Sequence, residues 1–315
     1  MAQIKVISSG PLSTIQDEGR FGYMNTGFSP NGAMDSFSMK TANLLVGNAP
    51  SDGVIEMTMM GMSLEFDSVA VIALTGADME PEINGEPVRM YTAIEVHQGD
   101  VLTMKFAKSG MRSYLAVAGG FDISPVMGSM STNLKCALGG FEGRKLKGGD
   151  IIPLRREISI DYIGERSTEP ENDYPDSITV RVVIGPQEDY FTDGGINTFL
   201  SSEYTVSDKS DRMGIRLDGE KIENKNGVDI ISDGIATGSV QIPASGTPII
   251  MMADRQTTGG YAKIATVISA DLKKAAQAKP GTKIHFQTVS IKEAVELKKK
   301  DERALKILER KLIYS

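Results

Sequence analysis

Histidine is scarce in this 315-residue chain, where His97 and His285 are the only two, and cysteine occurs once, at Cys136. Two histidines without metal-ligand spacing argue against a zinc site, and no metal is expected. A lone cysteine excludes an internal disulfide framework. Neither histidine lies beside a nucleophile motif, so hydrolysis by a serine, histidine and carboxylate triad is disfavoured. The GxxxxGK[ST] pattern of a nucleotide loop is missing, so no ATP site is expected in this chain. Long apolar runs are missing too: stretches such as Val69 to Leu74 are far short of a membrane span, and the opening MAQIKVISSGPL lacks a signal-peptide core. A soluble cytoplasmic protein is the expectation. Positive charge is not in excess, with 34 Lys and Arg against 41 Asp and Glu and a formal net charge of -7. Nucleic acid and anionic membrane surfaces are therefore poor partners.

What is present points to strands. The chain is long enough for two cores, since single cores stop growing near roughly 250 to 300 residues. Ile4 to Ser8 reads as a strand, followed by a long irregular loop that carries Thr14, Gln16, Asp17, Glu18 and Arg20 and is broken by Gly19, Gly22, Gly27 and Gly32. Met34 to Val46 has the spacing of one short amphipathic helix, closed by Gly47 and Pro50. Strands dominate Val54 to Phe106, with Asn84-Gly85 as a hairpin signal, and another strand runs from Arg112 to Val117. The glycine-rich segment Gly128 to Gly149 offers Ser129, Ser131, Thr132 and Arg144, groups suited to a carboxylate or phosphate. Charged, proline-bearing residues from Arg155 to Ser177 mark the expected linker, giving domains over 1–160 and 177–315. Short echoes, such as Ser51-Asp52-Gly53 and Ser232-Asp233-Gly234, suggest a duplicated β-barrel unit. Ser290 and Glu293 form a capping box at the head of a C-terminal helix.

The densest chemistry lies between Ser232 and Leu272. An apolar run from Thr247 to Ala253 reads as a buried strand ending in Asp254-Arg255-Gln256-Thr257-Thr258-Gly259-Gly260, and a second strand begins at Tyr261. The glycines allow positive φ or close approach of a ligand, and period-two alternation puts Tyr261 and Lys263 on one face. Arg20, Arg144, Arg255, Lys263 and Tyr261, with Gln16, Gln256, Ser131, Thr132, Thr257 and Thr258 as donors, make an array suited to a carboxylate and a lactam or ureido oxygen. Such donors stabilise a developing oxyanion by roughly 3 to 4 kcal/mol each. Asp17, Asp35 and Asp254 serve either as a general base or to orient the arginines. The plainer alternative is a hairpin whose Asp254 and Arg255 pair with each other while Tyr261 and Lys263 cover a solvent face. Lys105, in Thr103-Met104-Lys105-Phe106, resembles a biotinylation motif, but its flanks place it inside a strand reaching toward a core.

Several stretches together resemble one family: DRQTTGGYAKIA at Asp254 to Ala265 with SDGI before it, TIQDEGRFGY at Thr14 to Tyr23, NGAMD at Asn31 to Asp35, RSYLAVAGGFD at Arg112 to Asp122, MGSMST at Met127 to Thr132 and SDRMGIRLDG at Ser210 to Gly219. These are similar to the KipA proteins, the C subunits of bacterial ATP-dependent 5-oxoprolinase, and to part of the carboxyltransferase domain of urea carboxylase (urea amidolyase). The resemblance implies a mainly β protein with a few helices and two cyclophilin-like β-barrel domains. It implies a component that helps open the lactam of 5-oxo-L-proline to L-glutamate together with the A and B subunits, the latter KipI-like, and ATP bound by the complex rather than by this chain. Two alternatives accompany it: a biotin-dependent carboxyltransferase acting on a urea-like amide, with biotin arriving on another chain, and a regulator that binds a KipI-type kinase inhibitor.

Overall fold

The computed structural model describes residues 2–164, 166–170, 173–225 and 227–313. The chain is mainly β with a few helices and divides into two compact units, one formed by Met1–Phe21, Asn31–Tyr174 and Arg303–Ser315, the other by Gly22–Pro30 and Pro175–Glu302.

The first unit contains β1 (Gln3–Ser8), β2 (Leu12–Gln16), α1 (Ser36–Leu45), β3 (Val54–Thr58), β4 (Ser63–Phe66), β5 (Ala70–Asp78), β6 (Glu82–Ile83), β7 (Glu86–Pro87), β8 (Ile94–Val96), β9 (Val101–Thr103), β10 (Ser109–Val117), β11 (Ile151–Pro153) and α2 (Ile160–Ile163). One sheet has the order β11-β1-β4-β9-β6-β7 and the other β2-β3-β10-β5-β8. β5 and β10 are buried on both faces because their alternating side chains enter a separate core on each side of the sheet. Ile72, Leu74, Leu115 and Val117 point into the core shared with Ile4, Val6, Leu64 and Leu102 of the other sheet. Their neighbours Val71, Ala73, Tyr114 and Ala116 pack on Met39, Ala42 and Leu45 of α1. The helix starts where Asp35 accepts hydrogen bonds from the Ser38 N–H at 3.1 Å and its hydroxyl at 2.6 Å, a side-chain cap.

Three local expectations change. Thr14 and Gln16 belong to β2, so the irregular loop starts only at Asp17. β9 ends at Thr103, and Lys105 lies beyond it, half exposed and ion-paired with Glu82, so it neither continues a strand nor reaches toward a core. Much of the stretch expected as a linker packs instead: Ile158 is buried against the α1 side of the sheet, and Ala93 and Tyr91 exchange backbone hydrogen bonds with Arg166 and Thr168. Glu165, Glu171 and Asn172 of that stretch lie outside the described residues.

The second unit holds β12 (Ser177–Ile184), α3 (Asp193–Ser201), β13 (Tyr204–Val206), β14 (Gly214–Asp218), β15 (Asp229–Gly234), β16 (Ser239–Gln241), β17 (Ile249–Met251), β18 (Thr258–Tyr261), β19 (Lys263–Val267), α4 (Leu272–Gln277), β20 (Lys283–Thr288) and the head of α5 (Ile291–Ile313). Seven strands close a barrel in the order β12-β19-β16-β17-β14-β13-β20, sealed by the parallel pairing of β12 with β20. Closure leaves these strands without a free edge. Phe199 of α3 stacks on Phe286 of β20 with ring centroids 4.4 Å apart. β15 and β18 form a separate two-stranded ribbon outside the barrel. The capping box at α5 is formed as read: Glu293 accepts from the Ser290 N–H at 2.8 Å and Ser290 Oγ accepts from the Glu293 N–H at 3.2 Å.

Asp271 ties the barrel wall together. Its buried carboxylate accepts from the Arg181 backbone N–H at 2.8 Å, from Nε at 2.8 Å and from Nη2 at 2.6 Å, with Lys274 Nζ 3.2 Å away. Burial alone would raise the carboxyl; the Arg181 hydrogen bonds outweigh it and hold the group below its usual range. A lowered folded value means the stabilisation is fully present above the unfolded carboxylate pKa of about 3.9 and is lost as pH falls through the folded value. Denaturant titration from about pH 6 down to about pH 2 should therefore show Asp271→Asn clearly less stable than wild type at the upper end and the two curves converging at the lower end.

Candidate active site

The residues singled out in the sequence fall into two groups, one in each unit. In the first unit, Gln16, Asp17, Arg20, Ser131 and Thr132 come together across more than a hundred residues of sequence. Asp17 accepts hydrogen bonds from Ser129 Oγ (2.6 Å), the Met130 N–H (2.6 Å), Ser131 Oγ (2.5 Å) and the Gly19 N–H (2.8 Å). Arg20 is fully buried, with Nη1 on Asn31 Oδ1 at 2.9 Å and Nη2 on the Ser131 carbonyl at 2.7 Å. Thr132 Oγ1 donates to the Ile15 carbonyl at 2.9 Å, and Gln16 Nε2 reaches Thr14 Oγ1 at 3.0 Å. A Cβ on Gly140 would lie 1.9 Å from Thr132 Oγ1, so only glycine fits there. These groups hold the segment after Met127 against β2, and their polar atoms point inward. Ser131 and Thr132 thus present no free hydroxyl cradle for a phosphate, and no step is assigned to ATP on this chain.

Arg144 is also committed. Its guanidinium meets Asp150 through Nη1 at 2.7 Å and Nη2 at 2.9 Å, binds Glu142, and lies 5.2 Å from the centre of the Phe141 ring. The pairing with Asp150 and Glu142 pushes its pKa up, further fixing the charge.

The second unit assembles a different arrangement around the Ser232-Asp233-Gly234-Ile235 stretch. Lys263 is buried in the barrel wall at 4 % side-chain exposure, and its Nζ lies 2.8 Å from Asp233 Oδ2. Lys263 holds the Asp233 carboxyl below its usual range. Two residues on, the Ile235 carbonyl accepts from Arg255 Nε at 2.9 Å. Arg255 is 5 % exposed, and its remaining contact is a long one from Nη1 to the Met252 carbonyl at 3.5 Å. Among the described residues no carboxylate lies within ion-pair distance of it, and burial lowers its pKa to about 10. Ser29 Oγ donates to the Arg255 carbonyl at 2.6 Å and so fixes the backbone at this point. Asp254 turns away to Arg212, whose Nε and Nη2 reach its two oxygens at 3.0 Å each.

Several details depart from the reading of the sequence. Tyr261 and Lys263 do not share a face, because the strand leaves the ribbon at Ala262 and enters the barrel: Tyr261 pairs with Asp229 and Lys263 with Gln241. Tyr261 is 42 % exposed while Lys263 is buried. Gly259 and Gly260 lie within β18 rather than in a turn, and neither needs positive φ. Gly259 packs close to Ile235, whose Cδ1 a Cβ there would meet at 2.6 Å, so a larger residue needs that side-chain end to move. Gln256 and Thr258 are exposed, and Thr257 contributes its carbonyl to the Ile235 N–H at 3.0 Å. Asp233 and Arg212 escape the sequence reading as site residues because their partners lie 30 and 42 positions away, where no local spacing rule reaches.

The family model "carboxyltransferase domain, subdomain A and B" matches residues 26–288. The 5-oxoprolinase C subunit of Escherichia coli (strain K12) is 38% identical over 95% of this chain and 96% of its own length, and that of Haemophilus influenzae is 39% identical over 95% of each. The crystal structure of the K. lactis urea amidolyase superposes with a TM-score of 0.89 at 28% identity, covering 97% of this chain and 20% of that one. Matched over 95% of its length by the two C subunits, and by the carboxyltransferase-domain model over residues 26–288, the chain belongs to the family of 5-oxoprolinase C subunits.

Proposed function

We propose that this chain is the subunit of an ATP-dependent 5-oxoprolinase that grips the carboxylate of 5-oxo-L-proline while the lactam is opened to L-glutamate. The observation that carries this reading is Arg255, a buried guanidinium whose only neighbours in hydrogen-bonding range, among the described residues, are backbone carbonyls. An uncompensated buried cation is costly, and an anionic ligand removes that cost. In lactam hydrolysis the oxygen of water adds to the ring carbonyl, the C–N bond breaks, and a proton passes to the departing nitrogen, which becomes the amine of glutamate. Arg255 holds the substrate's carboxylate, and Lys263 faces the oxygen on which negative charge develops. Asp254, bound through both oxygens by Arg212, orients the loop that carries Arg255 rather than acting as a base. Thr258 to Tyr261 border the site on the ribbon, and Gln256 and Thr257 on the loop that leads into it. The groups around Asp17 and Arg144 serve as framework. ATP is bound by the complex rather than by this chain, and the partners are the A and B subunits, the second KipI-like, in the cytoplasm.

Lys263→Met should lower turnover by about tenfold, less than loss of Arg255, because Asp233 already neutralises part of the lysine's charge and is solvated enough to stand alone once it is gone. Unchanged turnover would remove Lys263 from the site.

The test of the whole reading is co-purification. The complex with its neighbouring subunits should convert 5-oxoproline and ATP to glutamate, and this chain alone should not; turnover by the chain alone would sink the subunit reading. A second reading, transfer of a carboxyl group from carboxybiotin to a urea-like nitrogen, draws on the carboxyltransferase family model and the likeness to urea amidolyase. Bicarbonate, urea and a biotinylated carrier, supplied in parallel, expose it. Activity in neither assay would favour the regulatory role.

A further inference from the structure

The first unit contains a cleft of about 580 Å³ that uses none of the residues assigned above. Three of its lining residues, Glu80, Tyr91 and Tyr174, have left-handed backbones with φ of 47°, 57° and 46°. Bulky side chains rarely adopt that conformation, and strain of this kind persists where the surrounding structure enforces it, often at ligand sites. Tyr174 is held by a close approach: a Cβ on Gly110 would lie 2.9 Å from its ring.

The two tyrosine hydroxyls meet at 3.5 Å. Tyr91 accepts from the Gly76 N–H at 2.9 Å, but the acceptor in reach of its own proton, the Gly76 carbonyl, is 3.4 Å away. Ser38 neighbours both phenols; its hydroxyl donates to Asp35 at 2.6 Å and keeps its oxygen as an acceptor for one of them. Burial raises both phenols above their ordinary pKa, so each keeps its proton. Apart from Ser38, the acceptors in reach of their protons are at 3.4 Å and 3.5 Å, so a carboxylate or carbonyl oxygen entering the cleft competes for these donors.

Around them stand charges of both signs, Asp78, Glu80, Glu82 and Asp173 against Arg89, Lys105 and Lys108, with Lys105 paired to Glu82 and Lys108 lying 3.8 Å from Glu80 in a pair solvent-exposed on both sides. A dianion entering here meets the glutamates and a diamine meets the lysines, whereas a molecule carrying one ammonium and one carboxylate satisfies both. At roughly 30 Å³ per water-sized group the cleft takes on the order of 20 non-hydrogen atoms, more than one amino acid and enough for two or three. We propose that this cleft is a second small-molecule site that binds a short free peptide through its charged termini, with Tyr91 and Tyr174 donating to the carboxylate end.

Calorimetric titration of the purified chain with trialanine, its N-acetyl form and its C-terminal amide tests the assignment. The expected result is one-to-one binding of trialanine, with each blocked form weaker by about tenfold or more. Lys108→Met and Tyr174→Phe should each weaken trialanine by about tenfold, and Arg255→Gln should leave it unchanged. Lys108 is exposed, so its variant stays informative even where a tyrosine variant unfolds. Absence of trialanine binding up to about 10 mM, equal binding of the blocked forms, or weakening by Arg255→Gln but not by Lys108→Met would overturn the proposal. None of these outcomes touches the 5-oxoprolinase assay.

Discussion

Arg255→Gln should lower kcat/KM of the assembled complex for 5-oxoproline by on the order of 100-fold, about 2.7 kcal/mol, without lowering the protein's stability. The two halves of that expectation come from the same geometry. In the free chain the guanidinium is buried, is met by the Ile235 carbonyl at 2.9 Å, and has no carboxylate within ion-pair distance among the described residues. Its burial lowers its pKa to about 10, the mark of a charge that the fold does not compensate. Replacing an uncompensated buried charge by a neutral amide removes a desolvation penalty, and Gln can still donate to the backbone. A guanidinium that served the fold would behave in the opposite way, since breaking a buried pair costs roughly 3 to 5 kcal/mol. Activity within about threefold of wild type would remove Arg255 from the site, and a large loss of stability would make it a framework residue.

How far these features are legible in the sequence depends on the distance over which each is encoded. The capping box at Ser290 and Glu293 spans three residues and forms as expected. The α1 helix follows from its periodicity, and the strands β3, β5 and β10 from the largely apolar runs that packing on two sides requires. Alternation fails at Tyr261 and Lys263 because period two holds only while a strand stays in one sheet, and the chain changes partners at Ala262. The polar crowd after Gln16 has the composition of a solvated or ligand-binding loop. It is interior because its partners, Ser129 to Thr132, lie more than a hundred residues away, a separation that composition cannot report. Asp233 lies within the SDGI motif, yet its pairing with Lys263 exists only through the register of β15 on β18.

Asp17→Ala should destabilise the protein by about 3 to 5 kcal/mol, the largest stability effect expected of any residue in the candidate groups. The carboxylate is 6 % exposed and gathers four donors: two hydroxyls, of Ser129 and Ser131, and two backbone N–H groups, of Gly19 and Met130. The hydroxyls can rotate toward other acceptors once Asp17 is gone, but the Met130 N–H cannot, and a buried donor left unsatisfied costs roughly 1 to 3 kcal/mol by itself. The loss also frees the segment that carries Ser131, whose carbonyl takes Arg20 Nη2 at 2.7 Å, so the buried arginine loosens with it. Chemical denaturation at neutral pH reads the cost, and Asp17→Asn should recover only part of it, because an amide offers one acceptor oxygen where four donors converge. Kinetics of the folded fraction, well below the unfolding transition, separate framework from chemistry. A framework residue leaves kcat/KM of the assembled complex within about threefold of wild type, whereas a loss of about 100-fold in fully folded Asp17→Asn would return Asp17 to the substrate site.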